Sequence, residues 1–138
     1  MNNKELVKAA FSAMQNSYSP YSHCKVGAAL LSKGGKVYLG CNVENASYGV
    51  TNCAERTAFF KAVSEGEREF SKIAIVGGFE GKVTDTFMPC GVCRQVMAEF
   101  CKPDFEVLVA LSQDDFKVFK LRDLLPHSFD EKNLSNGE

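Results

Sequence analysis

Two short segments hold most of the chemistry available to this chain. Cys53-Ala-Glu-Arg56 and Pro89-Cys-Gly-Val-Cys93 each place thiols where a loop is expected to turn into a helix. Cys90 and Cys93, three apart on a first helical turn, can share one ion, and zinc is the usual choice for such a pair. Cys53 would supply a third thiolate. Three protein ligands leave the fourth tetrahedral position open to water, which marks a catalytic site rather than a closed structural one. Three thiolates around one Zn2+ carry net negative charge, a poor setting for acidifying water. Two helix N-termini, each worth roughly half a positive charge, offset part of it, and Arg56 can donate a hydrogen bond to a ligand sulfur. Glu55, two residues beyond Cys53, is expected to project toward the open position. A carboxylate there can take a proton from water and return it to a leaving amine.

Blander readings of the same residues stay open at this level. A lone Cys-x-x-Cys can be structural or redox-active, although a redox pair leaves Cys53 and Glu55 without a role. A closed four-cysteine zinc site could recruit Cys24, Cys41 or Cys101, which otherwise read as small core residues. A zinc-stapled binding module without catalysis is the rival from another class. His23 and His127 flank expected turns and are not counted as ligands.

The elements that must position these groups follow from periodicity. Leu6, Val7, Ala10, Phe11 and Met14 recur at helical spacing and predict a helix over 3–17. Ser19-Pro20 ends that region, since a residue before proline leaves the α region. Residues 26–31 and 37–39 read as strands joined by the turn Lys33-Gly-Gly-Lys36. A second helix is expected from about Cys53 to Glu65, capped by Thr51 or Asn52, with Ala58, Phe59, Ala62 and Val63 inward and Gly66 as its stop. Residues 73–76 form an apolar strand suited to a sheet covered on both faces. A third helix over 90–101 buries Val96, Met97 and Phe100. Strands at 107–111 and 116–119 follow, then a helical turn over 121–125 and a polar tail from Asp130 that reads as disordered. The expectation is a single α/β domain over 1–129, followed by the tail at 130–138. The domain has a mixed sheet of about five strands with helices on both faces.

The 138 residues suit one domain. A net charge of −1, with Lys and Arg dispersed among the acids, speaks against nucleic acid as a partner. The N-terminus has no apolar run like a secretory signal, and no stretch approaches the ~18–20 apolar residues of a membrane span. A cytoplasmic protein with mostly reduced cysteines is the expectation.

Cys53-Ala-Glu55 and Pro89-Cys90-Gly-Val-Cys93 match the three-cysteine form of the zinc deaminase signature. With Tyr18-Ser-Pro-Tyr-Ser22, Val26-Gly-Ala-Ala-Leu30, Asn42-Val-Glu-Asn-Ala-Ser-Tyr-Gly49, Arg94-Gln95 and Leu124-Leu-Pro-His-Ser-Phe129, the chain resembles the small homotetrameric cytidine deaminases over almost its full length. The resemblance implies the three-layer fold of that family and one Zn2+ per chain on Cys53, Cys90 and Cys93. It implies proton shuttling by Glu55, and hydrolysis of free cytidine and deoxycytidine to uridine and deoxyuridine with release of ammonia, in pyrimidine salvage. It further implies that Asn42 and Glu44 bind the ribose 3′-hydroxyl and that the backbone N–H of Ala54 meets the pyrimidine 2-carbonyl. Tyr48 and Phe129 would reach a neighbouring subunit's site, so that active sites are shared, with Arg56 and Gln95 in support behind the ligands. One departure stands out. Family members often carry Phe then Pro before the Val26 strand, and that Phe packs against the base; here Cys24 and Lys25 occupy those positions. The base contact is then weaker or met by another ring. A deaminase of another cytosine nucleoside, such as blasticidin S, is the closest rival activity.

Overall fold

The computed structural model describes residues 1–135, and its elements follow the periodicity closely. Helix α1 (Asn3–Met14) opens with a capping box in which the Asn2 side chain accepts from Glu5 N and the Glu5 side chain accepts from Asn2 N. It ends three residues before the expected limit, in a run of i to i−3 bonds through Ser17. Strands β1 (Cys24–Ser32) and β2 (Val37–Cys41) form a hairpin, with Gly35 at φ +93° in its turn. Then come α2 (Ala54–Ser64), β3 (Phe70–Phe79), α3 (Gly91–Phe100), β4 (Glu106–Ser112), β5 (Asp115–Lys120) and the short α4 (Leu121–Leu124). Asp130 caps an exposed 3-10 turn over Glu131–Leu134. The last three residues of the expected tail, 136–138, lie outside the described residues.

The five strands make one sheet in the order β2-β1-β3-β4-β5, antiparallel except for the β3–β4 pair. Alternation along each strand divides the core in two. Ala29 and Leu31 of β1, Ala74 and Val76 of β3, and Leu108 and Ala110 of β4 pack under α1 against Leu6, Val7, Ala10 and Met14. Their neighbours Ala28, Leu30, Ile73, Ile75, Val107 and Val109 face the other way, where α2 and α3 supply Ala58, Phe59, Ala62 and Met97. The result is the expected three layers, helix on sheet on helix. Each large side chain so buried contributes about 1.5–3 kcal/mol, before the entropy of ordering it.

Gly40 sets how closely α2 approaches the sheet. A Cβ there would run into the Ala54 carbonyl oxygen and lie 2.6 Å from Ala58 N. Its absence lets the first turn of α2 rest directly on β2. Thr51 and Asn52 do not cap that helix. Cys53 is itself the N-cap residue, with no side-chain capping bond, as Cys90 is for α3. A thiol is a feeble acceptor for a backbone N–H, so both sulfurs are left available at adjacent helix N-termini. Among the described residues no helix is long and apolar enough to cross a membrane.

Candidate active site

The N-termini of α2 and α3 meet through their cysteines. The sulfurs of Cys53, Cys90 and Cys93 all lie within 4.8 Å of one another, and those of Cys53 and Cys90 are 3.7 Å apart. A tetrahedral zinc with Zn–S bonds of about 2.3 Å separates its sulfurs by about 3.8 Å. One pair already fits, and the widest gap closes with a shift of about 1 Å at most. Among the described residues Cys24, Cys41 and Cys101 are not part of this group, so a closed four-cysteine site is not formed. Burial pushes the Cys101 thiol well up and Cys41 up as well, which makes both partly buried thiols poor nucleophiles.

The donors are prepared for a cation. A hydrogen bond from Cys93, helped by others from Arg56 and Cys90, draws the Cys53 thiol down to about 5 against the opposing effect of burial. Cys93, 1% exposed, is pushed up by that same bond to Cys53, by burial and by the charge of Glu55. Without metal, the shared hydrogen bond draws Cys53 toward the thiolate and favours the protonated thiol at Cys93. A bound cation would displace that proton. Arg56 Nη2 donates to Cys53 Sγ at 3.3 Å, as the charge argument anticipates, while its Nε is buried with no partner among the described residues. We expect Arg56→Ala to weaken zinc binding by about 10–100-fold, as measured by competition with a chelator. Unchanged metal affinity would make the residue purely structural.

Glu55 sits in the first turn of α2, 4% exposed. Burial pushes its carboxyl up to about 7, and the Cys53 thiolate adds to the rise against the helix N–H that favours the charge. A carboxyl balanced near neutrality can both accept and release a proton. It lines a pocket of about 250 Å3 together with Cys53, Cys90, Ala54, Asn42 and Phe87. Ala54 is the first residue of α2, so its N–H has no partner within the helix. Two larger surface clefts, of about 700 and 520 Å3, contain none of the candidate residues.

Asn42, 8% exposed, has little freedom left. Its Oδ1 accepts from Val26 N at 2.9 Å and from Ser17 Oγ, and its Nδ2 donates to Cys24 O at 2.8 Å. One amide hydrogen remains. Glu44 does not line the pocket; its Oε1 accepts from Tyr21 N (2.9 Å) and Ser22 N (3.0 Å), and its Oε2 from Ser22 Oγ. The Ser22 bonds hold this carboxyl below the usual range. Tyr48 and Phe129 also lie outside the pocket of their own chain. They are 74% and 57% exposed, and the Tyr48 ring lies edge-on to Tyr21, centroids 6.1 Å apart. Gln95 Nε2 donates to the Phe129 carbonyl at 2.8 Å, which gives that glutamine a definite partner. Sequence reasoning missed Ser17 and Ser22, which hold Asn42 and Glu44 from 25 and 22 residues away. It also missed Phe87; the only signal was an aromatic two residues before the Pro89-Cys90 motif.

Residues 1–109 match the family described as the cytidine and deoxycytidylate deaminase zinc-binding region. The chain is 47% identical to a cytidine deaminase of Halalkalibacterium halodurans over 136 residues, covering 99% of this chain and 100% of that one. It is 46% identical to one of Sporosarcina psychrophila over 135 residues, covering 98% and 96%. The crystal structure of a cytidine deaminase from Burkholderia pseudomallei superposes with a TM-score of 0.86 at 50% identity, covering 94% of this chain and 100% of that one. With its thiol triad at two helix starts and the buried carboxyl beside it, the chain belongs to the zinc-binding cytidine and deoxycytidylate deaminase family.

Proposed function

We propose that this chain hydrolyses the 4-amino group of free cytidine and deoxycytidine, yielding uridine and deoxyuridine and releasing ammonia. The observation that carries the reading is a buried carboxyl balanced near neutrality, two residues beyond one cysteine of a thiol triad, on the wall of a pocket. The near-full-length relatives named cytidine deaminases support the same substrate class.

Cys53, Cys90 and Cys93 would hold the zinc, which when bound would supply Lewis acidity and acidify a water. The protein's own groups do the rest. Glu55 takes one proton from the attacking water and delivers it to N3 of the pyrimidine. It then takes the second from the hydroxyl added at C4 and delivers it to the departing amine, which leaves as ammonia as the C4 carbonyl forms. The Ala54 N–H donates to the 2-carbonyl oxygen. Asn42 and Glu44 take the sugar 3′-hydroxyl, held ready by Ser17 and Ser22. Arg56 and the two helix N-termini temper the charge of the sulfurs. This catalytic unit spans 1–129, with 130–138 as an appendage, and works in the cytoplasm in pyrimidine salvage.

Incubating the pure protein with cytidine tests the reading: uridine and ammonia should appear in equal amounts. Turnover of blasticidin S with none of cytidine would point to the other cytosine nucleosides. Tight zinc with no ammonia from either substrate would leave a zinc-stapled binding module.

The exposed rings at Tyr48 and Phe129 fit a homotetramer in which each completes a neighbour's site. Glu55→Gln and Phe129→Ala, each impaired alone, should then regain activity when refolded together, beyond the sum of the separate preparations. Strictly additive activity in mixtures that contain both chains, or full activity in a monomer, would rule out sharing.

A further inference from the structure

The lining of the 250 Å3 pocket is chemically uneven. Asn42, Glu55 and the cysteine sulfurs gather polar and charged groups, whereas Val26, Ile75, Phe87 and Met88 are apolar. Phe87 is the sole aromatic ring among the lining residues. It comes from the segment between β3 and α3, and it has a seat made for it. Gly77 of β3 pairs with Val26 of β1. A Cβ on Gly77 would stand 2.6 Å from Cδ2 and 2.8 Å from Cγ of Phe87, and 3.0 Å from Cγ2 of Val26. The ring therefore occupies the space that any other residue at 77 would fill, in contact with bare strand backbone. Phe87 is partly buried against the core on the α2–α3 side of the sheet. The ring thus forms one wall of the pocket, packed over Gly77 and against the core.

The other rings near this end of the sheet are placed elsewhere. Cys24, at the start of β1, pairs with Phe79 across the β1–β3 ladder, and neither lines the pocket. The Phe79 ring is 61% exposed and lies edge-on to His23, centroids 6.2 Å apart.

We infer that Phe87, seated over Gly77, is the base-packing and specificity-determining residue of this pocket: it presents the aromatic surface against which the flat pyrimidine ring lies. The inference rests on the proposal that the pocket takes a cytosine nucleoside. A hydrogen-bonding half addresses the edge and the reacting carbon of the base, and the ring addresses its face. Such contact is sequence-tolerant toward flat bases and poor toward saturated or puckered rings. It exists equally in the bound substrate and in the transition state, so it contributes binding more than turnover.

The test measures KM and kcat for cytidine, and equilibrium binding of the product uridine, in wild type, Phe87→Leu, Phe87→Ala, Gly77→Ala and Gly77→Ala/Phe87→Ala. Zinc content and melting temperature are followed throughout. Phe87→Ala should raise KM and weaken uridine by about 10-fold or more, with kcat changed far less. Phe87→Leu keeps apolar bulk but not the aromatic face, and should show a smaller loss in the same direction. Gly77→Ala should mimic it by pushing the ring from its seat, yet add little when Phe87 is already Ala. Cys24→Phe should give no tightening, because the ring is already supplied.

Cytidine turnover with KM and uridine binding unchanged in Phe87→Leu would overturn the inference and leave the proposed function intact. So would a loss confined to kcat, or full additivity of the two substitutions. A wild-type protein that binds neither cytidine nor uridine would overturn both. Should Phe87→Ala fail to fold, Phe87→Leu and Gly77→Ala decide the matter on the same readouts.

Discussion

Glu55→Gln is expected to give a folded protein with one zinc per chain that turns cytidine over at least about 100-fold more slowly, the usual scale for a lost general acid–base group. Glutamine preserves the size and much of the hydrogen bonding of the side chain but can neither take a proton nor give one. The same substitution has an opposite effect on stability in the zinc-free protein. Burial raises the Glu55 carboxyl from 4.5 to about 7 on folding, so the folded chain holds that proton more tightly than the unfolded chain does. For a raised pKa the resulting stabilisation is complete below 4.5 and is lost as the pH climbs through 7. Glutamine, always neutral, never loses it. Zinc-free Glu55→Gln should therefore be more stable than zinc-free wild type at pH 8, by up to about 3 kcal/mol, with the gap closing toward pH 5. Denaturant titration at the two pH values checks this. Near-normal turnover, or a gap that widens in acid, would remove Glu55 from the role assigned to it.

Cys93→Ser should abolish activity by a different route. Cys93 is 1% exposed and its sulfur completes the triad. A serine hydroxyl does not ionise near neutrality and is a poor zinc ligand in a site built from thiolates. Zinc should fall well below one per chain, with no detectable uridine formed. Because a metal that binds only the folded chain adds to its stability, the variant should also melt below wild type, and a chelator should bring the two together. Metal analysis separates the two substitutions: one inactive protein carries zinc and the other does not. A zinc-loaded, active Cys93→Ser would mean that the ion is held elsewhere.

Each half of the cysteine group was legible in the chain because it is local: helix geometry alone puts Cys90 and Cys93 on one turn and Glu55 beside Cys53. That the two halves meet across 37 residues is a matter of tertiary packing, which spacing alone does not give. The layers were legible for a related reason, since alternation in β1 and helical spacing in α1 report burial directly. The cap of α2 was not. Propensity favours Thr51 or Asn52, whereas Cys53 takes the position without a capping bond, and the metal site at that helix start accounts for the exception. Nor did the sequence disclose what holds Asn42 and Glu44, because Ser17 and Ser22 meet them only after the β1–β2 hairpin and the following loop have folded. Phe87 was invisible for the same reason: its place depends on an absent side chain at Gly77 on another element. Tyr48 and Phe129 came from resemblance alone, and in a single chain they stay exposed.

If Asn42 and Glu44 take the sugar hydroxyl as proposed, the constraints on them give that contact a direction. Asn42 has spent its oxygen and one amide hydrogen on Val26, Ser17 and Cys24, so it can offer a substrate only a proton. Glu44, charged at neutral pH and fastened by Ser22, can offer only lone pairs. A substituent lodged between them has to speak in both senses, receiving from one side and giving to the other. A hydroxyl does this. A fluorine of nearly the same size receives weakly and gives nothing, and an ether oxygen receives but has no proton to return. Discrimination at that carbon would then be grammatical before it is steric, with analogues refused for the missing proton even where they fit.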